Sequence, residues 1–326
     1  MKPTHAFGEA AVRWAKDNEH LRAIDRDMQD LKGVMRFIDN LPLKQVHQVT
    51  LEPYIEFRRE QGVSSETVKR ALSTVTRVLT AAHQIYRDEE GDPWLTSLPK
   101  FQVPKWSTPR PRYPLSGQEA ACLLQALSDD LKDITQVLLH TGLRDIELRT
   151  LRWDREQPRQ EGCAVFLIPE EVAKNKQARL AFCNRVATRI IDQRRHNDSD
   201  WVFPGQNGDC RTRLSSSGWR AGRIRAAEHF EWSHKAEPSD GFRRVRIHDL
   251  RHTFGERLRL QGVNLDTCGD LLGHVGRGVT AHYCRAQDRE LLDAVRRLEV
   301  YEVPQNSRND NVVSLTGSNR FDKQLF

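Results

Sequence analysis

Between Ile247 and Arg285 the chain gathers His248, Arg251, His252, His274 and Tyr283, more polar chemistry than the apolar residues of that stretch need around them. An arginine guanidinium presents a planar fork of N–H donors to anionic oxygens and keeps its charge. Histidine donates, accepts or moves protons near neutral pH. A tyrosine phenol, with an ordinary pKa of about 10, becomes a nucleophile only where nearby cations favour its anion. Two further pieces belong with these. LLHTGLRDIELRTLRW sets Arg144 just after a Thr-Gly break, and VAKNKQARLAFC sets Lys174 in a polar turn between two strand-like runs. Taken alone, the 247–285 stretch also fits an ordinary helix-turn-helix with surface histidines.

The elements that must hold these groups follow from periodicity. Leu250, Phe254 and Leu258 recur every four residues and make the buried stripe of a helix. His248 and Arg251, three apart, share another face of it. A second short helix, about 265–272, ends at Gly273, a residue suited to a left-handed cap, and His274 follows at the exit. Tyr283 comes nine residues later among polar neighbours. Upstream, 164–168 and 179–182 read as paired strands, so Lys174 and Lys176 fall in or beside the turn that joins them.

In this order, TGLRDIEL, a hairpin lysine, HDLRH, LLGH and a following tyrosine resemble the tyrosine recombinase family, the phage integrases and Xer-type recombinases. The resemblance is close over residues 108–300 and one of general shape over 4–100. A lone H-x-x-R is weak; five ordered pieces are specific. The resemblance implies Tyr283 as nucleophile, forming a 3′-phosphotyrosine ester and freeing a 5′ hydroxyl. It implies Arg144 and Arg251 on the non-bridging phosphate oxygens, His274 as a further hydrogen-bond donor and His248 as a base or orienting group. It gives Lys174 the protonation of the leaving oxygen, with Lys176 as rival, since only the spacing to Arg179-Leu180 favours the first. Glu147 matches the position that brace the first arginine, and His252 a supporting one. Cys284-Arg285 departs from the small-residue-His ending expected after the tyrosine. Tyr54 and Tyr301 do not follow an LGH at the right distance.

Composition fits this. The 326 residues suffice for two domains, and the net charge is +6. Residues 174–259 carry 19 basic and 10 acidic side chains, a local excess that points to a polyanion partner, or more plainly to a solvated basic face. Six cysteines without a C-x-x-C pair fit incidental thiols of a reduced, cytoplasmic protein. No apolar run approaches a membrane span, no signal-peptide pattern opens the chain, and no cluster has metal-ligand spacing. The expected cofactors and metals are therefore none.

The fold expected is mainly α with a small antiparallel β-sheet. Residues 1–98 read as a helical core-type DNA-binding domain. Its first helix is capped by Thr4, its second has Leu21, Ile24, Met28, Leu31, Met35 and Ile38 inward, and its third is capped by Thr50. Its fourth opens at Ser64 or Ser65 and buries a stripe from Val68 to Ile85. Lys69, Arg70, Thr74 and Arg77 lie off that stripe, as DNA contacts or as an ordinary wet face. Residues 99–114, with five prolines and Lys100, Lys105, Arg110 and Arg112, read as an extended linker, with Lys105 here and Lys176 in the hairpin turn as further DNA contacts. Residues 115–302 form the catalytic domain, opened by a Ser116–Glu119 capping box. Within it 215–228 is helical and 229–246 a long loop. Residues 303–326 form a polar tail, a docking element for a neighbouring protomer or a frayed end.

The function read first is a metal- and ATP-independent site-specific DNA recombinase of a phage or mobile element, with a Xer-type resolvase second. A topoisomerase IB-like enzyme and a non-catalytic DNA-binding protein are the remaining classes. The partners expected are double-stranded DNA and further copies of the chain, four at a synapse, with accessory DNA-bending proteins a possible addition and no membrane. The N-terminal part is too short for an added arm-binding module. The expected location is cytoplasmic, on the nucleoid when DNA is bound.

Overall fold

The computed structural model describes residues 5–21, 23–108, 110–195, 199–214, 216–274 and 288–300. Tyr283, Tyr301, Thr4 and the 303–326 tail lie outside them. The chain divides into two compact units, Met1–Arg110 and Pro111–Phe326.

The first unit is helical: α1 (Phe7–Asp17), α2 (Ile24–Ile38), α3 (Gln48–Glu60) and α4 (Ser65–Gln84). Phe7, Trp14, Leu31, Ile38, Leu51, Val68, Val75 and Leu79 meet in its core. The N-cap of α1 is Ala6, with no side-chain cap. Its first N–H groups go instead to carbonyls beyond α2, Phe7 to Leu41 and Gly8 to Asp39. Helix α3 is capped from inside: the Thr50 hydroxyl accepts the His47 N–H at 3.0 Å. Ser64 caps α4, its hydroxyl accepting from Thr67.

Helix α2 buries Leu31 and Ile38 as expected, with Ile24 and Met35 packed against the core, but its first turns depart from the expected stripe. Val34 and Asp27 are buried, whereas Met28 and Leu21 are exposed. A carboxylate enters the core because α4 brings it partners. Arg77 grips Asp27 with two bonds, of 2.6 and 2.8 Å, and Thr74, buried rather than wet, donates to the same carboxylate. Ile85, beyond the end of α4, is exposed. Residues 102–107 of the stretch read as a linker are tied to α3, α4 and the turn between them. Gln48 and Gln102 exchange two hydrogen bonds, the Trp106 indole donates to Val63 O, and Ser107 meets Ser65.

The second unit holds α5 (Gly117–Ala126), α6 (Asp129–Thr141), α7 (Asp145–Arg149), α8 (Arg185–Gln193), α9 (Ser217–His234), α10 (Asp240–Arg243), α11 (Ile247–Leu260), α12 (Leu265–Leu271) and α13 (Asp288–Arg296). Strands β1 (Glu156–Gln160), β2 (Cys163–Ile168) and β3 (Arg179–Phe182) form an antiparallel sheet in that order. Ser116 and Glu119 make the expected reciprocal cap of α5. Helix α9 runs on to His234 and α10 follows, so residues 229–234 and 240–243 of the expected loop are helical. Helix α11 packs on α6, and its Leu250, Phe254 and Leu258 are fully buried. No described helix is long and apolar enough to cross a membrane.

Candidate active site

The site is assembled where four elements end or begin. Helix α6 stops at Gly142, whose φ of +63° reverses the chain. A Cβ there would lie 2.3 Å from the Phe254 ring, so glycine serves both the turn and the approach of α11. Arg144 then caps α7. The Glu147 carboxylate folds back to accept the Arg144 N–H at 2.8 Å and its guanidinium at 2.7 Å. Glu147 is fully buried. Its other partner is Arg179, the first residue of β3, which donates to it at 2.8 Å. Burial alone would raise the Glu147 pKa. The charges of Arg179 and Arg144, with the Arg144 N–H, outweigh it and hold the carboxyl below its usual range.

Helix α11 delivers Arg251 into the same place, 4% exposed. Its guanidinium donates to Gly142 O at 2.6 Å and to Leu272 O. Arg144 donates to Gly273 O at 3.2 Å, and Arg179 to Leu271 O at 3.2 Å. Three arginines thus bond the carbonyls left open at the end of α12, where positive charge also complements the helix dipole. Gly273 is left-handed at φ +57°, and the His274 N–H returns to Gly269 O at 2.9 Å. His274 is thereby presented from a turn that the arginines hold.

Burial, and after it the crowding of cations, sets the titration of the group. Burial, then Arg144, lowers Arg251 to about 9, still cationic at neutral pH. Burial, then Arg251 and Arg144, lowers His274. Burial, then Arg251, lowers His248. His248 is exposed although it shares its helix face with buried Arg251. Its ring stands edge-on to His252, 4.6 Å between centroids. Burial, then His248 and Arg112, lowers His252 to about 4. All three histidines therefore favour the neutral form more than a free imidazole does. For Arg251, His274 and His248 the neighbouring arginines add to the effect of burial, and an anion among them would offset that part.

Residues 115–290, more than half of the chain, match the model of the phage integrase family. The chain belongs to that family. It is 22% identical to the integrase of Salmonella phage P22 over 345 residues, covering 95% of this chain and 84% of that protein. It is 23% identical to a tyrosine recombinase of Thermosipho africanus, covering 89% and 96%. The fold is that of the Tn1549 transposon integrase solved with circular intermediate DNA, at TM-score 0.60, 17% identity and 92% and 100% coverage. It is also that of lambda integrase, solved as a tetramer bound to a Holliday junction, at TM-score 0.58, 14% identity and 84% and 78% coverage. Membership of this family makes the chain a site-specific recombinase, an enzyme that cleaves and rejoins DNA strands.

Within this integrase-family site the contacts join Arg144, Arg251 and the turn carrying His274. They do not reach Lys174 or Lys176. Both lysines are exposed on the 169–178 connection, and neither side chain has a hydrogen bond or ion pair among the described residues. The connection is nonetheless shaped: Val172 and Ala173 bond back to Pro169 O, Lys176 bonds to Ala173 O, and Lys176 has φ +52°. Tyr283, the expected nucleophile, lies outside the described residues. Three other tyrosines are committed elsewhere. Tyr54 and Tyr86 are buried in the first unit, and the Tyr113 hydroxyl donates to Glu119 at 2.5 Å.

The basic residues expected on DNA divide. Lys69 and Lys105 are exposed. Arg70 and Arg77 are ion-paired to Asp30 and Asp27 of α2, with their side chains still partly exposed. Residue order places Arg179 at the start of a strand and makes it the spacing landmark for Lys174, but does not place it in this cluster. The signal available was an arginine opening an otherwise apolar strand. No three His, Cys, Asp or Glu side chains among the described residues could hold a metal ion.

Proposed function

We propose that this chain cleaves and rejoins duplex DNA through a covalent phosphotyrosine, with Tyr283 as nucleophile. The observation that carries the reading is the convergence of Arg144, Arg251 and the His274 turn. A guanidinium has five N–H donors. Arg144 spends two of its side-chain donors on Glu147 and Gly273 O, and Arg251 spends two on carbonyls. Three on each remain for the non-bridging oxygens of a phosphodiester. An anion there would also offset the burial and the repulsion by Arg144 that together lower Arg251.

In this reading Arg144 and Arg251 stabilise the charge that develops on phosphorus oxygens, and His274 adds a hydrogen bond. Neutral His248 orients the phenol or takes its proton. Lys174 protonates the departing 5′ oxygen. The ester keeps the bond energy, so the strand is resealed to a new partner without a nucleotide. Two features support Tyr283 over Tyr301: the family match ends at residue 290, and Tyr283 follows LLGH. Exchange between two duplexes needs four protomers. The lambda integrase tetramer on a Holliday junction supports that assembly as the working one. Likeness to the P22 integrase over 95% of the chain favours integration over dimer resolution. Lys69 and Lys105 are the exposed basic groups offered to the backbone by the first unit.

The test is a nicked suicide substrate carrying the element's own junction, read from the direct repeats that flank the gene. Wild type should form a protein–DNA adduct that maps to Tyr283. Tyr283→Phe should bind the site and form none. An adduct at Tyr301 or at a serine overturns the mechanism, and binding without any adduct leaves a DNA-binding protein.

A further inference from the structure

Arg179 opens β3, opposite Ile168 in the pairing with β2, directly after the connection that carries Lys174 and Lys176. Its side chain is only 12% exposed. One guanidinium nitrogen donates to Glu147 Oε2 at 2.8 Å. The other donates to Leu271 O at 3.2 Å and to its own strand at Leu180 O. Nε is buried with no hydrogen-bond partner among the described residues, and Gly273 lies against it. A Cβ on Gly273 would come within 2.6 Å of Arg179 Cδ and 2.7 Å of Nε.

This one side chain therefore touches the carboxylate that holds Arg144 and the turn that presents His274. Its own backbone ends the lysine-bearing connection. Resting on the recombinase reading above, we propose that Arg179 is a positioning residue that sets Arg144, His274 and the lysine connection relative to one another. It is not a phosphate ligand, because its donors are directed at Glu147 and at main-chain carbonyls and its stem is covered by Gly273. Glu147 carries the coupling: one oxygen takes the Arg144 guanidinium, the other takes Arg179 together with the Arg144 N–H. Without Arg179 the carboxylate would answer to Arg144 alone, and the end of α12 would lose the bond at Leu271. Lysine is a poor replacement, since a point donor cannot bridge a carboxylate and a carbonyl as a planar fork does.

The experiment measures single-turnover cleavage, duplex binding and thermal unfolding in the full chain. Arg179→Met should cut about 10²-fold more slowly, the scale of an ångström-sized misplacement, while binding duplex as wild type does. The deficit should persist well below the unfolding temperature, and Arg179→Lys should restore only part of it. Glu147→Gln should be slow as well, and Glu147→Gln with Arg179→Met no slower than the worse single variant, because the two act as one unit. Gly273→Ala should reproduce the slow cleavage, and adding it to Arg179→Ala, which removes Cδ and Nε, should cost less than adding it to wild type.

Wild-type cleavage by Arg179→Met would overturn the proposal. So would losses that multiply with Glu147→Gln, or a deficit that vanishes on cooling. If Arg179→Met does not fold, Arg179→Lys and the Gly273 pair decide the matter by the same readouts. Failure of wild type to form the Tyr283 adduct would strike the recombinase reading instead, and is seen before any variant is made.

Discussion

Adding one carbon at Gly142 should loosen both the fold and the site. The residue sits at φ +63°, where an L side chain costs about 1–2 kcal/mol. Its Cβ would stand 2.3 Å from Phe254 Cδ1 and 2.7 Å from Cε1. Phe254 is fully buried against Leu258 and Leu271, so the ring cannot swing to solvent. Forcing a carbon into such packing costs about 1–3 kcal/mol. Gly142→Ala should therefore lose about 2–5 kcal/mol, a large share of the roughly 5–15 kcal/mol that holds a domain together. The Gly142 carbonyl also anchors Arg251 at 2.6 Å, so strand cleavage should fall even in cold, fully folded protein. The assay is denaturant unfolding of the full chain beside suicide-substrate cleavage. Gly269→Ala is the control: its Cβ would meet nothing within 4 Å, and α12 should gain roughly 0.5–1 kcal/mol. Phe254→Leu combined with Gly142→Ala should lose less than the two separately, since each relieves what the other strains. A Gly142→Ala midpoint equal to wild type, or strict additivity with Phe254→Leu, would refute this account of the turn.

Three further outcomes are expected. His140 is held at about 4 by burial and then Arg257, below its unfolded value of about 6.5, so the unfolded chain takes up the proton first. The stability it contributes is complete above pH 6.5 and is lost as pH falls toward 4. His140→Gln should flatten that part of the unfolding profile, and an unchanged slope would remove His140 as its cause. Lys174→Ala should cut normal DNA slowly and regain much of its rate on a 5′-bridging phosphorothiolate, whose sulfur leaves without a proton. Lys176→Ala should show a milder loss without rescue, and the reverse pattern would exchange the two roles. Duplex affinity should fall steeply with salt, by roughly 0.9 in log–log slope for each phosphate contact; a flat response would point to a partner that is not a polyanion.

Much of the catalytic frame could be read from residue order, because its supports are local. The Leu250–Phe254–Leu258 stripe, the Thr-Gly break before Arg144 and the glycine before His274 each follow from spacing within a few residues. What escaped depends on partners far away in the chain. Strand β1 is EQPRQ, with no alternation of its own; it exists because β2 offers it an edge. Helix α9 continues through residues 229–234 with a largely exposed surface, so no apolar rhythm marks its end. Asp27 enters the core of the first unit in place of Met28 because Arg77, on another helix, meets it there. The same cause pairs Arg70 and Arg77 with carboxylates of α2 while leaving both partly exposed. Arg179 was hidden for the like reason, its targets lying 32 and 92 positions away.

The arginines that close the end of α12 have a consequence for how related chains are judged. Arg144, Arg179 and Arg251 hold Gly273, Leu271, Leu272 and Gly142 by their carbonyls, and that duty exists whether or not DNA is ever cut. Selection for a folded chain would go on preserving all three after selection for strand exchange had ceased. An intact arginine set in a descendant therefore testifies to a kept architecture. Lost activity would be written first at the position of the phenol, and a survey for retired recombinases should look there.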